Sequence, residues 1–317
     1  MQIKIRGAWF GIIAALGGLA YGYDTGAISG ALLFLKEDFH LTAFQSETLA
    51  SIASIGMMLG ALGGGMLADR FGRRTVLVLT NLTLMVFTVL NGLAPSYDVF
   101  LISRFLVGFT IGIIFTVTPV YISEFARTKV RGRLGGGFQL AVSIGLTVSY
   151  WIDFLFVKTG NWHAMFIIGA IPCAILTVLL FGMPDSPRWY FMKGLEQKGR
   201  EALARIHSES EEVETATKRI QEELISTRQI SKGSYADLFK PGIRMALFFA
   251  IGLTIFQMLT GINTLTTYQP TIFTFAGYTK ADAVFLTGAI GIITNVATLV
   301  GIILIDSWGR RPLAFLS

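Results

Sequence analysis

The sequence predicts an all-α membrane protein. Three observations carry this: long apolar blocks, glycines inside those blocks, and positive charge gathered on one side of them. Hydrophobic residues make up 53% of the chain and charged ones 15%, whereas soluble domains carry roughly 25% charge. The apolar residues fall into eight blocks, at 8–33, 47–68, 75–94, 99–122, 134–155, 164–182, 245–270 and 283–305. Each block is close to the ~20 residues that a helix needs to cross ~30 Å of hydrocarbon. A soluble chain would need eight core helices that are apolar on every side, which argues against that class. Gly56, Gly60, Gly63, Gly64 and Gly65 lie inside the second block. Such a run weakens a helix in water, but in lipid small residues let helices approach closely.

The net charge of +6 is a matter of topology and gives no reason to expect a nucleic-acid partner. With the N-terminus in the cytoplasm, Lys4 and Arg6 are inside. So are Arg70, Arg73 and Arg74, then Arg127, Lys129, Arg131 and Arg133, the segment 184–244, and Arg310 with Arg311. Lys36, Lys158 and Lys280 fall outside, and Arg104 lies within a span. This is the positive-inside distribution. Short loops and short tails favour a bacterial inner membrane. The first block is too long for the apolar core of a cleavable signal and lacks a small-residue cleavage site, so it is read as a span. Cys173 is the single cysteine, which excludes an intramolecular disulfide and suggests no metal site.

Six spans therefore precede a cytoplasmic segment, and two follow it. The segment places acidic and basic residues at helical spacing, in Glu196 to Arg200 and in Glu211 to Glu223. That spacing fits short amphipathic helices on the membrane face and equally a solvated, partly helical linker. A repeat is also visible. Asp69-Arg-Phe-Gly72-Arg73-Arg74 follows the second span, and Asp306-Ser-Trp-Gly309-Arg310-Arg311 follows the eighth. Repeated helical bundles are a common way to build transporters, with the site at their interface. A carboxylate at a helix end, a glycine turn and paired arginines suit a lock between neighbouring helix ends that releases when bundles rock.

Asp69 to Arg74 resembles the loop motif of the major facilitator superfamily. Three further stretches resemble its sugar porter family. The first is Pro119-Val-Tyr-Ile-Ser-Glu124 with Arg131-Gly-Arg133, and the second is Pro184-Asp-Ser-Pro187-Arg188-Trp189. The third is Gln257 with Gly261-Ile262-Asn263. The resemblance runs from the first span to the last residue. It implies a major facilitator fold of two six-helix bundles, of which this chain holds a six-helix N-terminal bundle (1–183), a linker (184–244) and the first two helices of a C-terminal bundle (245–317). On that basis Ser317 is not expected to be the natural C-terminus, and a truncated, inactive product is one reading of the chain.

Two charges lie well inside the spans, where charge is costly and marks function by default. These are Asp24 and Arg104, both in the outer half. The residues alone leave two readings open: a proton acceptor with its partner cation, or a static ion pair that fixes helix packing. The resemblance favours proton coupling, because symporters of the family carry Asp at the position of Asp24 and passive relatives carry Asn. The only coupling agent it implies is the proton, with no cofactor. Asp153 is expected to be solvated near the outer end of the fifth span, and His40, His163 and His207 to be solvated in loops or in the linker.

For sugar, the resemblance points to Gln139, Gln257 and Asn263, to Tyr21 as an aromatic near the ligand, and weakly to Asn295. An amide both donates and accepts, as sugar hydroxyls do. The same side chains also suit interhelical hydrogen bonding. The family's second seventh-helix amide is replaced here by Met258, and its tyrosine pair reads Thr267-Tyr268. A polyol therefore fits alongside pentoses and hexoses. Asp69, Arg70, Gly72, Arg73, Arg74, Glu124 and Arg131, with Asp306, Arg310 and Arg311 of the repeat, are expected to form a cytoplasmic gate. The expected whole is a monomeric sugar:proton symporter in the lipid bilayer. A passive uniporter and a sugar sensor on the same fold are the alternatives. An enzyme finds no support, since no phosphate loop, metal cluster or nucleophile–base pair is present.

Overall fold

A computed structural model describes residues 7–125, 131–205, 210–229, 239–240 and 242–308, with backbone alone at 7–12, 14–16, 131–135, 226–229, 250, 254, 258 and 305–308. Arg310, Arg311 and His207 lie outside the described residues, and so does half of the second copy of the repeat. Among the described residues the chain is helical without strands.

Thirteen helices follow in order: α1 (Gly7–Asp38), α2 (Ala43–Phe71), α3 (Arg73–Gly92), α4 (Tyr97–Phe125), α5 (Arg131–Phe156), α6 (Trp162–Ile167), α7 (Ala170–Phe181), α8 (Pro187–Met192), α9 (Glu196–Ala204), α10 (Ser210–Gln229), α11 (Arg244–Leu259), α12 (Ile262–Phe275) and α13 (Lys280–Trp308). Seven stretches are long and apolar enough to cross a membrane: α2, α3, α4, α5, α6 with α7, α11 with α12, and α13. The first expected span is α1, 32 residues long. On α2 the exposed side chains Ile55, Met58, Leu59, Leu62 and Met66 recur at helical spacing and make one apolar stripe. Water does not tolerate such a surface, whereas acyl chains match it. The chain is a multi-pass integral membrane protein.

Two expected spans are broken. The sixth divides at Ile168-Gly169, where the backbone runs close against Tyr23 and a side chain on Gly169 would meet its ring. The seventh divides at Thr260-Gly261. Gly261 has φ 71°, a left-handed conformation that costs other L-residues energy. The linker holds α8, α9 and α10. Arg200 pairs with Glu214 between α9 and α10 at 2.8 Å, and Arg188 with Glu223 between α8 and α10 at 3.6 Å.

The N-terminal bundle rests on two glycine seams. α1 packs on α5, where Gly22 lies against the Val142 carbonyl, Gly26 against Ser149 and Leu146, and Gly145 against Leu19. α2 packs on α4, where Gly56 and Gly60 meet Phe105 and Phe109, and Gly108 and Gly112 meet Ala53 and Met57. α3 then packs on α4 and α7. The sequence expectation is met for Gly56 and Gly60, while Gly63 and Gly65 have nothing within 4 Å. α12 and α13 join this bundle through α1 and α5 respectively.

A methyl group separates the two kinds of glycine. Gly22→Ala should push α1 off the Val142 carbonyl and cost about 1–3 kcal/mol, the usual range for overpacking. Gly63→Ala should be neutral or slightly stabilising. Thermal unfolding of the purified variants in detergent checks the difference, and equal melting temperatures would contradict the seam.

Candidate functional site

Asp24 and Arg104 meet. Arg104 Nη1 donates to Asp24 Oδ1 at 2.7 Å, and the two residues are 6% and 2% exposed. The pair joins α1 to α4. Phe166 lies alongside, with the guanidinium carbon 5.9 Å from the ring centroid, a distance at which the ring face attracts a cation. A small cavity beside the carboxylate, lined by Tyr23, Leu84, Thr88, Phe166 and Cys173 among others, has room for about one water molecule. Arg104 Nε is buried without a hydrogen-bond partner. Tyr23 donates its hydroxyl to the Met165 carbonyl at 2.7 Å, which ties α1 to the start of the broken sixth span. An ion pair in this setting neutralises both charges without water. It is held by one direct hydrogen bond rather than a bidentate fork.

The amides expected to meet sugar are spread over the two bundles. Gln139 on α5, Gln257 on α11 and Asn263 on α12 are exposed. Asn295 on α13 is half-buried and donates from Nδ2 to Thr147 Oγ1 on α5 at 2.9 Å, so it sits on the contact between bundles. Tyr21 is half-buried, with its ring edge-on to Phe115 at 5.6 Å. Phe115 in turn meets Phe138, one residue before Gln139, at 5.5 Å.

The bundles touch at the end of the molecule that holds Trp162. There the Ser29 hydroxyl on α1 and the Tyr150 hydroxyl on α5 both donate to the Thr266 carbonyl of α12, each at 3.3 Å. Lys280 at the start of α13 pairs with Glu37 at the end of α1 at 2.6 Å. Phe285 of α13 packs against Trp151 and Phe154 of α5, with ring centroids 5.7 and 5.5 Å apart.

At the opposite end, the loop motif forms a set of helix caps. Gly72 takes φ 99°, and a side chain there would strike the Asp185 carboxylate. Asp185 Oδ1 accepts from the backbone N–H of Arg73 at 2.8 Å, of Arg74 at 3.3 Å and of Ser186 at 2.8 Å. It therefore supplies negative charge at the N-terminus of α3, where two arginines and the helix dipole are all positive. Arg74 returns the favour to α7, donating to the Leu180 and Phe181 carbonyls at 2.8 Å each. Arg73 pairs with Asp69 at 2.8 Å and approaches Glu124 of α4 at 3.0 Å, off the line of a hydrogen bond. Trp189 donates from its ring to the Asp69 carbonyl at 3.1 Å.

Of the residues expected at this gate, Asp69, Gly72, Arg73, Arg74 and Glu124 are brought together. Arg70 is exposed, with its guanidinium 5.2 Å from the Phe71 ring centroid, and takes no part. Only the backbone of Arg131 and Asp306 is described. Asp185 was given no role by sequence reasoning. Its signal was present: a carboxylate just past the sixth span, at the same membrane face as two arginines that begin a helix.

Two expectations need correction. Asp153 is fully buried, not solvated. Being close to a helix end did not expose it, because Gly30 of α1 leaves a space that its carboxylate fills. His163 belongs to α6 rather than a loop, stacks on Trp162 with ring centroids 3.8 Å apart, and places Nδ1 2.7 Å from the Gly92 carbonyl.

The family described as "Sugar (and other) transporter" matches residues 10–317. The chain is 34% identical to the galactose-proton symporter of Escherichia coli strain K12 over 303 residues, 95% of this chain and 64% of that protein. It is 33% identical to the arabinose-proton symporter of Bacillus subtilis strain 168 over 309 residues, 95% of this chain and 66% of that one. The chain thus spans about two thirds of the length of these curated relatives. Among solved structures, the xylose transporter XylE of E. coli in a partially occluded inward-open conformation superposes with a TM-score of 0.82 at 25% identity, covering 97% of this chain and 75% of that one. With its sequence matched almost end to end and its helices arranged as in a major facilitator transporter, the chain belongs to the sugar (and other) transporter family.

Proposed function

We propose that the protein imports a monosaccharide, or a related polyol, by proton symport with alternating access. The buried Asp24–Arg104 pair carries this reading. It is an ionisable pair set inside the spans, with a cavity beside it, in a family whose relatives here include galactose- and arabinose-proton symporters. The membrane orientation follows from charge: the Gly72 end is cytoplasmic and the Trp162 end is outer. Gln139, Gln257, Asn263 and Asn295 offer amides to sugar hydroxyls, with Tyr21 against an apolar face. Inositol transporters also stand among the relatives, which keeps polyols within the substrate class. The coupling ion is the proton, and no cofactor takes part. The two bundles, joined by the linker at 184–244, rock about this site.

The mechanism follows from the pair. Arg104 places its guanidinium within hydrogen-bond reach of the buried Asp24 carboxylate. A movement of α1 against α4 that lengthens the 2.7 Å contact leaves the carboxylate without its cation, and a proton then takes its place. Return of the arginine expels the proton. Sugar held between the bundles favours one arrangement over the other, so the two movements are coupled.

In vesicles holding the full-length protein, Asp24→Asn should abolish accumulation of sugar driven by an imposed pH gradient while leaving downhill exchange in place. Accumulation that survives the change would remove Asp24 from the coupling step. At the cytoplasmic face, Glu124→Gln weakens the link from α4 to Arg73 and should shift the carrier towards the inward-open form. Labelling of both faces with an impermeant reagent reads that balance, and unchanged labelling would dismiss the gate.

A further inference from the structure

Asp153 is an ionisable side chain buried within the described spans that the proposed cycle does not use. It is fully buried, and neither carboxylate oxygen has a hydrogen-bond partner. Its oxygens lie against the backbone of α1 at Gly30, in space that a methyl group at that glycine would fill. The other titratable groups around it are committed elsewhere. On α1, Tyr23 donates to the Met165 carbonyl, Glu37 pairs with Lys280 of α13, and Asp38 accepts from the Trp162 ring at 2.6 Å. Tyr150, on its own helix, donates to Thr266. His163 of α6 is bonded at Gly92, Asp282 of α13 at Thr279, and Arg104 of α4 at Asp24. Lys36 and Lys158 are exposed.

An ionised carboxylate in this position would be shut off from bulk solvent, with no cation among the groups just named and only the backbone N–H of Gly30 close to it, which is a costly state in a low-dielectric interior. A neutral carboxyl carries no such penalty. The same position lies directly behind the contact that closes the outer side. Gly30 follows Ser29, and Asp153 stands one turn beyond Tyr150. Ser29 and Tyr150 are the two hydroxyls that hold the Thr266 carbonyl.

We propose that Asp153 is a second proton-binding site, occupied when the outer side is closed, whose proton holds α1 and α5 in place against α12. Loss of that proton demands hydration of the carboxylate, and water enters this seam only when α12 withdraws. The closed form thus binds the proton more tightly than the open form. By linkage, acid favours closure and alkali favours opening to the outside. Asp24 answers to its arginine, whereas Asp153 answers to water. The sidedness rests on the orientation proposed above, but the charge argument uses neither the sugar nor Asp24.

The test is made on the full-length protein in lipid and without sugar, so that it reads Asp153 whether or not the substrate assignment holds. Spin labels at Lys36→Cys on α1 and Tyr278→Cys between α12 and α13 report the width of the outer side. The distance should lengthen as pH rises in the parent and stay short at every pH in Asp153→Asn, which imitates the neutral acid. Glu37→Gln, which removes the other titratable link between the same elements, should keep the response. Infrared spectra of the parent in the closed form should show the carbonyl stretch of a protonated carboxylic acid at neutral pH. A parent without that band overturns the proposal even if Asp153→Asn does not fold. A distance that ignores pH in the parent, or that lengthens equally in Asp153→Asn, overturns it as well.

Discussion

A charge placed in hydrocarbon has to find its opposite among neighbouring helices, and here that requirement organises the N-terminal bundle. α1 is paired with α5 and α2 with α4, each through glycines that let backbones touch. The glycine seams themselves do not relate one pair to the other. The Tyr21–Phe115–Phe138 rings and the Asp24–Arg104 contact do so, the latter because Asp24 is on the first pair and Arg104 on the second. Breaking a buried pair by removing one partner typically costs about 3–5 kcal/mol, since the remaining charge is left stranded. A connection of that strength fixes how the two seams face each other.

The cytoplasmic end follows a different rule. Helix ends there carry orphan N–H and C=O groups, and the charged residues of the loop motif satisfy them across elements rather than within one. Asp185 closes the start of α3, Arg74 the end of α7, and Arg73 reaches the Ala68 carbonyl near the end of α2 at 3.2 Å. The motif is therefore more than an anchor of positive charge. Arg73 and Arg74 are both spent on another helix's carbonyls or carboxylate, so α2, α3, α4 and α7 are linked at this face. Among the described side chains, none of α12 or α13 enters that network. Such an arrangement lets the N-terminal bundle move as a unit.

Much of this was legible in the sequence because hydrocarbon imposes lengths and charge placement that a chain has to obey. Seven of the expected spans and the Asp24–Arg104 encounter follow from block length and from charge within a block. Three features were not legible. The seventh span reads as one apolar block, yet Gly261 adopts a left-handed turn inside it; hydropathy averages over that residue and does not register a change of backbone direction. Asp153 was misplaced for a related reason. Depth along a helix can be counted from its ends, but burial depends on what the neighbouring helix leaves open. Only the packing of α1 on α5 shows that Gly30 provides the space. Asp185 was also missed, since its role depends on α7 ending beside the start of α3.

α1 connects these features mechanically. Asp24, Ser29 and Gly30 fall within two turns of one helix, a span of roughly 9 Å at ~1.5 Å per residue. Over that distance α1 touches α4 through an ion pair, α12 through a hydroxyl and α5 through a glycine that shelters a carboxyl. A helix this short between contacts is stiff, so a tilt that relaxes one contact disturbs the others. In the cycle proposed above, opening at Thr266 and separation of Asp24 from Arg104 would be one movement seen at two depths. The two carboxylates would differ in what that movement offers them: Asp24 would lose a cation, and Asp153 would gain water. The first change favours taking up a proton and the second favours giving one up, so on that proposal a single tilt of α1 presses the two acids in opposite directions.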